Sequence, residues 1–294
     1  MKVEKLVYGI YPKTNDLRLH LSRWEKGLLP DSTINNEIIK EKEILYERYK
    51  NLNITYTDPL FNWYDIFRPI VLLVDNMEAG PLTRYKETNT FYRMPIVHEI
   101  NDITIAPEIF SPLNENPPLP LYVENGTDFN AFLPSPLSFY KMSKVDMKYE
   151  TFEEKLLNIY KNILKNFKTN SLVIYETLPF QKDEVLNLSQ LTDKFSVKLI
   201  TTGRIYNNNI QGSPHSVVCD DEYENIEISK SISRVPGIKL IDGYNTRMES
   251  IDNINRDLEK IGSDEVILSH KEYLDFLPRI IADKKIELMS RVGE

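Results

Sequence analysis

Side chains able to do polar chemistry stand repeatedly just past short β-branched or aliphatic runs in this 294-residue sequence. Tyr11 follows the run at 6–10, Asp58 the run at 54–57, Glu176 the run at 172–175, and Thr202 with Arg204 the run at 197–201. Asp242, with Asn245 and Arg247 close behind, follows 238–241, and Ser269-His270 follows 266–268. If these runs are strands whose C-terminal ends converge, the residues form a mixed-charge ring suited to a small zwitterionic or multiply carboxylated ligand. His270, with an ordinary pKa near neutrality, is a candidate general base or ligand.

Two further stretches extend the candidate set. T-D-P-L-F-N-W-Y-D-I-F-R-P from Thr57 places Trp63 and Arg68 beside Asp58, and L-T-R-Y-K-E-T-N-T-F-Y-R-M-P from Leu82 adds Arg84 and Asn89. Structural roles compete with each of these. Asp58 before Pro59 and Asp242 before Gly243 fit helix caps or turns. Arg68 and Arg93 suit the anchoring of carbonyls, or pairing with Asp65 and Glu99. Glu176 has no helix directly after it to cap, and a lone histidine such as His270 is commonly a hydrogen-bonded structural residue. His215 and Cys219, four residues apart, supply only two ligands where a zinc site takes three or four. The signatures G-x-G-x-x-G, P-loop, H-E-x-x-H and G-x-S-x-G do not occur.

The elements that must position these groups alternate. Strands are expected near residues 6, 54, 71, 130, 172, 197, 238 and 266. Helices are expected over 16–26, 35–49, 152–167, 183–194, 226–232, 251–261 and 274–289, from apolar residues at helical spacing such as Phe152, Leu156, Ile159, Tyr160 and Ile163. Eight strands separated mostly by helices predict a single (β/α)8 TIM barrel over 1–294, because adjacent parallel strands need such crossovers. Ala79-Gly80-Pro81 reads as a turn, 82–95 as a long aromatic-rich loop packing over a pocket, 97–105 as a strand pair, and 107–120 as a proline-rich connection, the irregular part covering about 80–125.

Composition narrows the function. A formal charge of -8 with lysines scattered among glutamates argues against nucleic-acid and acidic-membrane partners. A single cysteine excludes an internal disulfide and a multi-thiolate zinc site, and fits a reducing, cytoplasmic setting. The first residues lack the apolar run of a signal peptide, and no stretch approaches the length of a membrane span.

Five segments, taken in order, resemble cobalamin-independent methionine synthase, and most closely its N-terminal barrel. They are Y-G-I-Y-P-K-T-N-D-L-R from Tyr8, the Thr57 and Leu82 segments above, I-D-G-Y-N-T-R-M-E from Ile241, and S-H-K-E-Y-L-D-F-L-P-R-I-I-A-D-K-K from Ser269. The region 207–233 matches least. The resemblance implies a barrel of the methionine synthase/uroporphyrinogen decarboxylase-like kind. In that family a C-terminal barrel holds zinc through a His-x-Cys pair, a Glu and a second Cys. The zinc activates homocysteine for methyl transfer from a polyglutamylated methyltetrahydrofolate, while the N-terminal barrel is largely a scaffold that helps with the folate. This sequence has no His-x-Cys, and Ser269-His270 stands where the last cysteine motif would fall.

Since a thiolate is the form that accepts the methyl group, and a metal is the means of making it, the expected function is an accessory or folate-binding component. No cofactor is expected on this chain; a separately encoded, zinc-bearing C-terminal-type barrel is the expected partner. An enzyme acting without zinc on a small carboxylated substrate, chiefly through Asp58, Glu176, Asp242 and His270, is the alternative. A purely structural partner subunit is a third reading.

Overall fold

Runs such as 171–175 and 196–200 are buried on both faces, which a parallel strand shows when one face lines an interior and the other lies under helices. The computed structural model describes residues 1–86, 90–101, 128–165 and 169–293. Its strands, in chain order, are β1 (Lys2–Val7), β2 (Thr55–Tyr56), β3 (Met77–Arg84), β4 (Phe91–Val97), β5 (Ala131–Pro134), β6 (Lys144–Val145) and β7 (Ser171–Tyr175). They continue with β8 (Leu186–Asn187), β9 (Ser196–Ile200), β10 (Ile210–Gln211), β11 (Ser216–Cys219), β12 (Val235–Ile241) and β13 (Glu265–His270). The helices are α1 (Asn15–Glu25), α2 (Asp31–Asn51), α3 (Arg68–Val71), α4 (Pro136–Lys141), α5 (Tyr149–Leu164), α6 (Ser189–Thr192), α7 (Tyr223–Ile232), α8 (Ile251–Ile261) and α9 (Arg279–Ser290).

Eight strands pair in parallel in the order β2, β1, β13, β12, β11, β9, β7, β5. Tyr56 of β2 also bridges in parallel to Phe129, just ahead of β5. Its N–H donates to Asp128 O (2.9 Å) and its carbonyl accepts from Asn130 N–H (2.8 Å). That bridge closes the ring, so the fold is a (β/α)8 barrel. At the N-terminal end of the strands, Lys198 of β9 reaches across the interior to Glu4 of β1 (2.5 Å) and to Asn130 (3.0 Å). Outside the ring, α8 buries Ile254, Leu258 and Ile261 on one face, each worth roughly 2 kcal/mol. These join Leu268, Ile286 and Met289 in a core between β13 and the surrounding helices.

Several expectations are corrected. The apolar run near 71 is not a strand: Arg68–Val71 is a short helix, with Pro69 in its first turn, where a missing N–H costs nothing. The eighth strand is β11, four residues buried throughout, whose brevity and polar flanks hide it. Ala79-Gly80-Pro81 is no turn but the irregular middle of β3, where the register with β4 shifts. The expected loop over 82–95 is mostly this β3–β4 hairpin, in which Tyr and Phe suit paired backbone. Where one helix was expected over 183–194, β8 and the four-residue α6 occur, and the last helix is a 3-10 turn at Leu274–Phe276 followed by α9. Val97 ends β4 and 98–101 form no strand, so the first part of the expected 97–105 pair is corrected as well; residues 102–127, which hold its last four residues and the proline-rich connection, lie outside the described residues.

Candidate functional site

The C-terminal mouth of the ring is filled by tyrosines gathered around one ion pair. Tyr8, just past β1, stacks on His270 at 4.3 Å with 6° between the planes. Its ring also lies 5.2 Å from Tyr175 and 6.4 Å from Tyr273. Tyr85, at the end of β3, joins from the hairpin, 6.2 Å from Tyr273. All four tyrosines are buried, and burial raises each hydroxyl pKa well above the ordinary tyrosine value. At the centre the Glu272 carboxylate accepts from Lys86 Nζ (2.5 Å) and from the Tyr175 hydroxyl (3.0 Å). Burial lowers the Lys86 pKa, against the opposing pull of Glu272. Beside them Lys239 donates to Thr201 O (2.5 Å) and pairs with Asp220 (3.1 Å).

The local chain path explains this convergence. Gly9 turns the chain at a φ of 70°, its N–H donating to Thr57 Oγ1 (2.9 Å). A Cβ there would stand 2.5 Å from the Tyr273 ring, so only glycine lets the first and last βα loops meet. Asp65 anchors the second loop: its buried carboxylate accepts from the N–H groups of Phe67 (2.9 Å), Arg68 (2.7 Å) and Arg93 (3.3 Å). Burial raises its pKa while those donors pull it down.

The residues singled out in the sequence divide sharply. Tyr11 turns away from the mouth: its hydroxyl donates to Asp283 (2.7 Å) of α9, and Arg279 lies 5.0 Å over its ring. Asp58 is fully buried against α2, paired with Lys42 (2.7 Å) and accepting from Leu60 N–H (2.7 Å). Glu176 is a cap after all, for the helix of the neighbouring strand: it accepts from the Ser135 and Ser138 hydroxyls and from Ser138 N–H (3.2 Å) at the start of α4. Asp242 shapes a turn through Tyr244 N–H (2.7 Å) and Asn245 N–H (3.2 Å), leaving Asn245 and Arg247 exposed.

His270 is held neutral. Nε2 accepts from Tyr8 N–H (3.1 Å), Nδ1 donates to Glu272 O (2.6 Å), and burial lowers the pKa to about 4. Trp63 is buried in the second loop with its indole N–H lacking a partner among the described residues, and Arg68 begins α3. Arg84 is exposed on β3, and Asn89 lies outside the described residues.

The expected ring of Asp58, Glu176, Asp242 and His270 is therefore not assembled. Glu272, Lys86 and the tyrosines take its place. Tyr8, Tyr85, Lys86, Glu272 and Tyr273 all stand inside the segments singled out by resemblance; their spacing held no other mark, since tyrosine at a strand end reads equally as core.

Among the openings around the mouth, two adjoin each other, and another is lined by Asp242, Asn245 and Arg247. A narrow cleft of about 30 Å³ is lined by Tyr64, Asp65, Tyr85, Tyr92, Tyr273 and Asp275, among others. It adjoins a groove of about 740 Å³, lined by Lys13, Arg18, Asp275, Phe276, Arg279 and Asp283 among others, between the starts of α1 and α9. Lys13 is buried, donates to Trp63 O (3.2 Å), and lies 5.0 Å over the Tyr64 ring. Burial lowers its pKa and raises that of Asp275.

A zinc ion of the kind the resemblance places in a catalytic barrel does not fit these residues. His270 has spent both ring nitrogens. Cys219 is buried with Sγ on Gly237 O (3.5 Å) and its pKa pushed up to about 12 by burial. Among the described residues no three His, Cys, Asp or Glu side chains are grouped to hold a metal. No described helix is long and apolar enough to cross a membrane.

Fold and mouth define the class: a (β/α)8 barrel with an aromatic, ion-paired C-terminal face. No family model matches the sequence, and neither does any curated protein. Solved structures do. A B12-independent methionine synthase from Shewanella sp. W3-18-1, in complex with selenomethionine, superposes with a TM-score of 0.68 at 10% identity, over 99% of this chain and 96% of that one. A putative vitamin-B12-independent methionine synthase from Listeria monocytogenes gives 0.63 at 13% identity, over 97% and 95%. The likeness establishes a shared fold, and both neighbours are matched over nearly their whole chains.

Proposed function

We propose that this chain is a stand-alone barrel of the N-terminal methionine synthase kind, an accessory component that binds a polyglutamylated folate for methyl transfer carried out elsewhere. The observation that carries the reading is the groove beside the mouth. Lys13, Arg18 and Arg279 outnumber Asp275 and Asp283 along it, Arg279 being paired with Asp283, and an extended chain of carboxylates is a ligand that spaced cations favour. The sequence motifs and the barrel neighbours support the family. The buried thiol and the doubly bonded His270 support a chain that leaves thiol activation to a zinc-bearing, C-terminal-type partner. The cytoplasm, where such folates are used, is the location that goes with this reading.

Titration calorimetry of the purified chain with triglutamyl and monoglutamyl methyltetrahydrofolate tests it. The triglutamyl form binds about tenfold tighter, its advantage shrinks between 50 and 200 mM salt, and Arg18→Ala, at an exposed position, removes about fivefold. Equal binding of the two forms, or none, overturns the folate role. Stoichiometric zinc with methyl transfer to homocysteine by the chain alone overturns the accessory role. Silence towards every folate, together with capture of a zinc-bearing barrel, leaves the purely structural partner as the answer.

A further inference from the structure

We propose that the tyrosine cage at the centre of the barrel mouth is a binding site for a primary ammonium group, and that Lys86 is its resident, intramolecular occupant. The groups are those such a ligand needs. A buried carboxylate, Glu272, supplies the charge partner, with Lys86 Nζ 2.5 Å away. Aromatic faces supply the walls: Nζ lies 5.2 Å from the centre of the Tyr85 ring, within the range of a cation–π contact. Tyr175 orients the carboxylate by donating to its second oxygen (3.0 Å). The half-exposed Tyr244 stands at the rim, where burial and the nearby Glu272 carboxylate raise its hydroxyl pKa.

Three features separate this arrangement from an ordinary structural ion pair. Its members come from the β3–β4 hairpin, from β7 and from the loop after β13, elements that are not neighbours in the ring, so the pair sits over the barrel axis where ligands of such barrels bind. Both charged residues hold left-handed backbone, Lys86 at a φ of 52° and Glu272 at 47°. Residues other than glycine adopt that conformation uncommonly, here also at Asn53, Leu60 and Asn76 among the described residues, and such strain gathers at ligand clamps. Finally, the occupant is borne on a hairpin end rather than on the barrel. An ammonium ligand that replaced Lys86 would keep every bond of Glu272 and release the hairpin from the mouth.

The inference uses none of the residues of the groove proposed for folate and stands whether or not folate binds there. It is tested with Lys86→Ala and n-butylammonium chloride as the probe, against tetramethylammonium chloride at equal ionic strength. The tetramethyl cation meets the aromatic walls but cannot donate to Glu272. Thermal unfolding of the variant should show a saturable rise with butylammonium, about 3 °C at ten times the dissociation constant. The wild type, whose site is filled, should show a smaller rise or none, and the double variant Lys86→Ala/Glu272→Gln should show none. If Lys86→Ala does not fold in plain buffer, its refolding yield with each salt makes the same comparison, with recovery expected only in butylammonium. Equal responses to the two salts, a response that survives Glu272→Gln, or no response at all overturns the proposal.

Discussion

Replacing Glu176 by alanine removes the acceptor that ties β7 to the start of α4. Four donors converge on this carboxylate: the Ser135 and Ser138 hydroxyls, Ser138 N–H (3.2 Å) and Leu178 N–H (3.1 Å). The hydroxyls can turn elsewhere and Ser138 N–H keeps the Ser135 hydroxyl as a second acceptor (3.3 Å), whereas Leu178 N–H has no other among the described residues. Each buried donor left without an acceptor costs about 1–3 kcal/mol, and part of this is offset because the buried charge, whose pKa burial raises, is removed as well. Glu176→Ala should therefore lose about 2–3 kcal/mol, and Glu176→Gln, which keeps one acceptor, about 1. Urea unfolding with an unchanged slope reads the difference directly, and the alanine variant's Tm should fall by about 5 °C. Folate binding by the folded variants should be unaltered. An alanine variant within about 1 kcal/mol of wild type that fails to bind ligand would refute the capping role and restore Glu176 to the site.

His270 gives a pH prediction of definite sign. Its folded pKa is lowered to about 4, so the stability it contributes is fully present above the unfolded value near 6.5 and is lost as pH falls towards 4. Across that window the stability gap between wild type and His270→Gln should shrink by roughly 2–3 kcal/mol; a gap that stays constant refutes the neutral, doubly bonded imidazole. Gly9→Ala should cost about 2–4 kcal/mol, from left-handed strain and the contact with Tyr273. A Tm within about 1 °C of wild type would show that the two loops do not meet at Gly9.

The barrel was legible because its helices carry long periodic faces. Ile254, Leu258 and Ile261 mark α8, and Phe152, Leu156, Ile159 and Ile163 mark α5, whatever surrounds them. Short strands are harder: Ser216–Cys219 and the run after Pro69 are both brief and apolar, and what separates them is a parallel partner on each side, which only the closed ring supplies. The site was legible to a smaller degree for a related reason. Position past a strand end was read as position at the mouth, but the chain can turn either way there. Asp58 and Tyr11 turn outward onto α2 and α9, while Tyr8 and Glu272, only a few residues away from Tyr11 and His270, turn inward. The cap served by Glu176 belongs to the adjacent strand's helix, a relation of neighbours in space that spacing along the chain does not express.

The bridge between Tyr56 and Phe129 gives the ring a seam. Every other junction is a ladder of two or more register pairs, whereas here a two-residue strand is fastened to its neighbour by a single bridge. A closed ring has no edge on which another chain can add a strand. Parting this one junction would convert the barrel into an open sheet with β2 and β5 as bare margins and Tyr56 and Phe129, now buried, at the opening. The resistance of the molecule to strand addition by other chains thus rests on its shortest pairing.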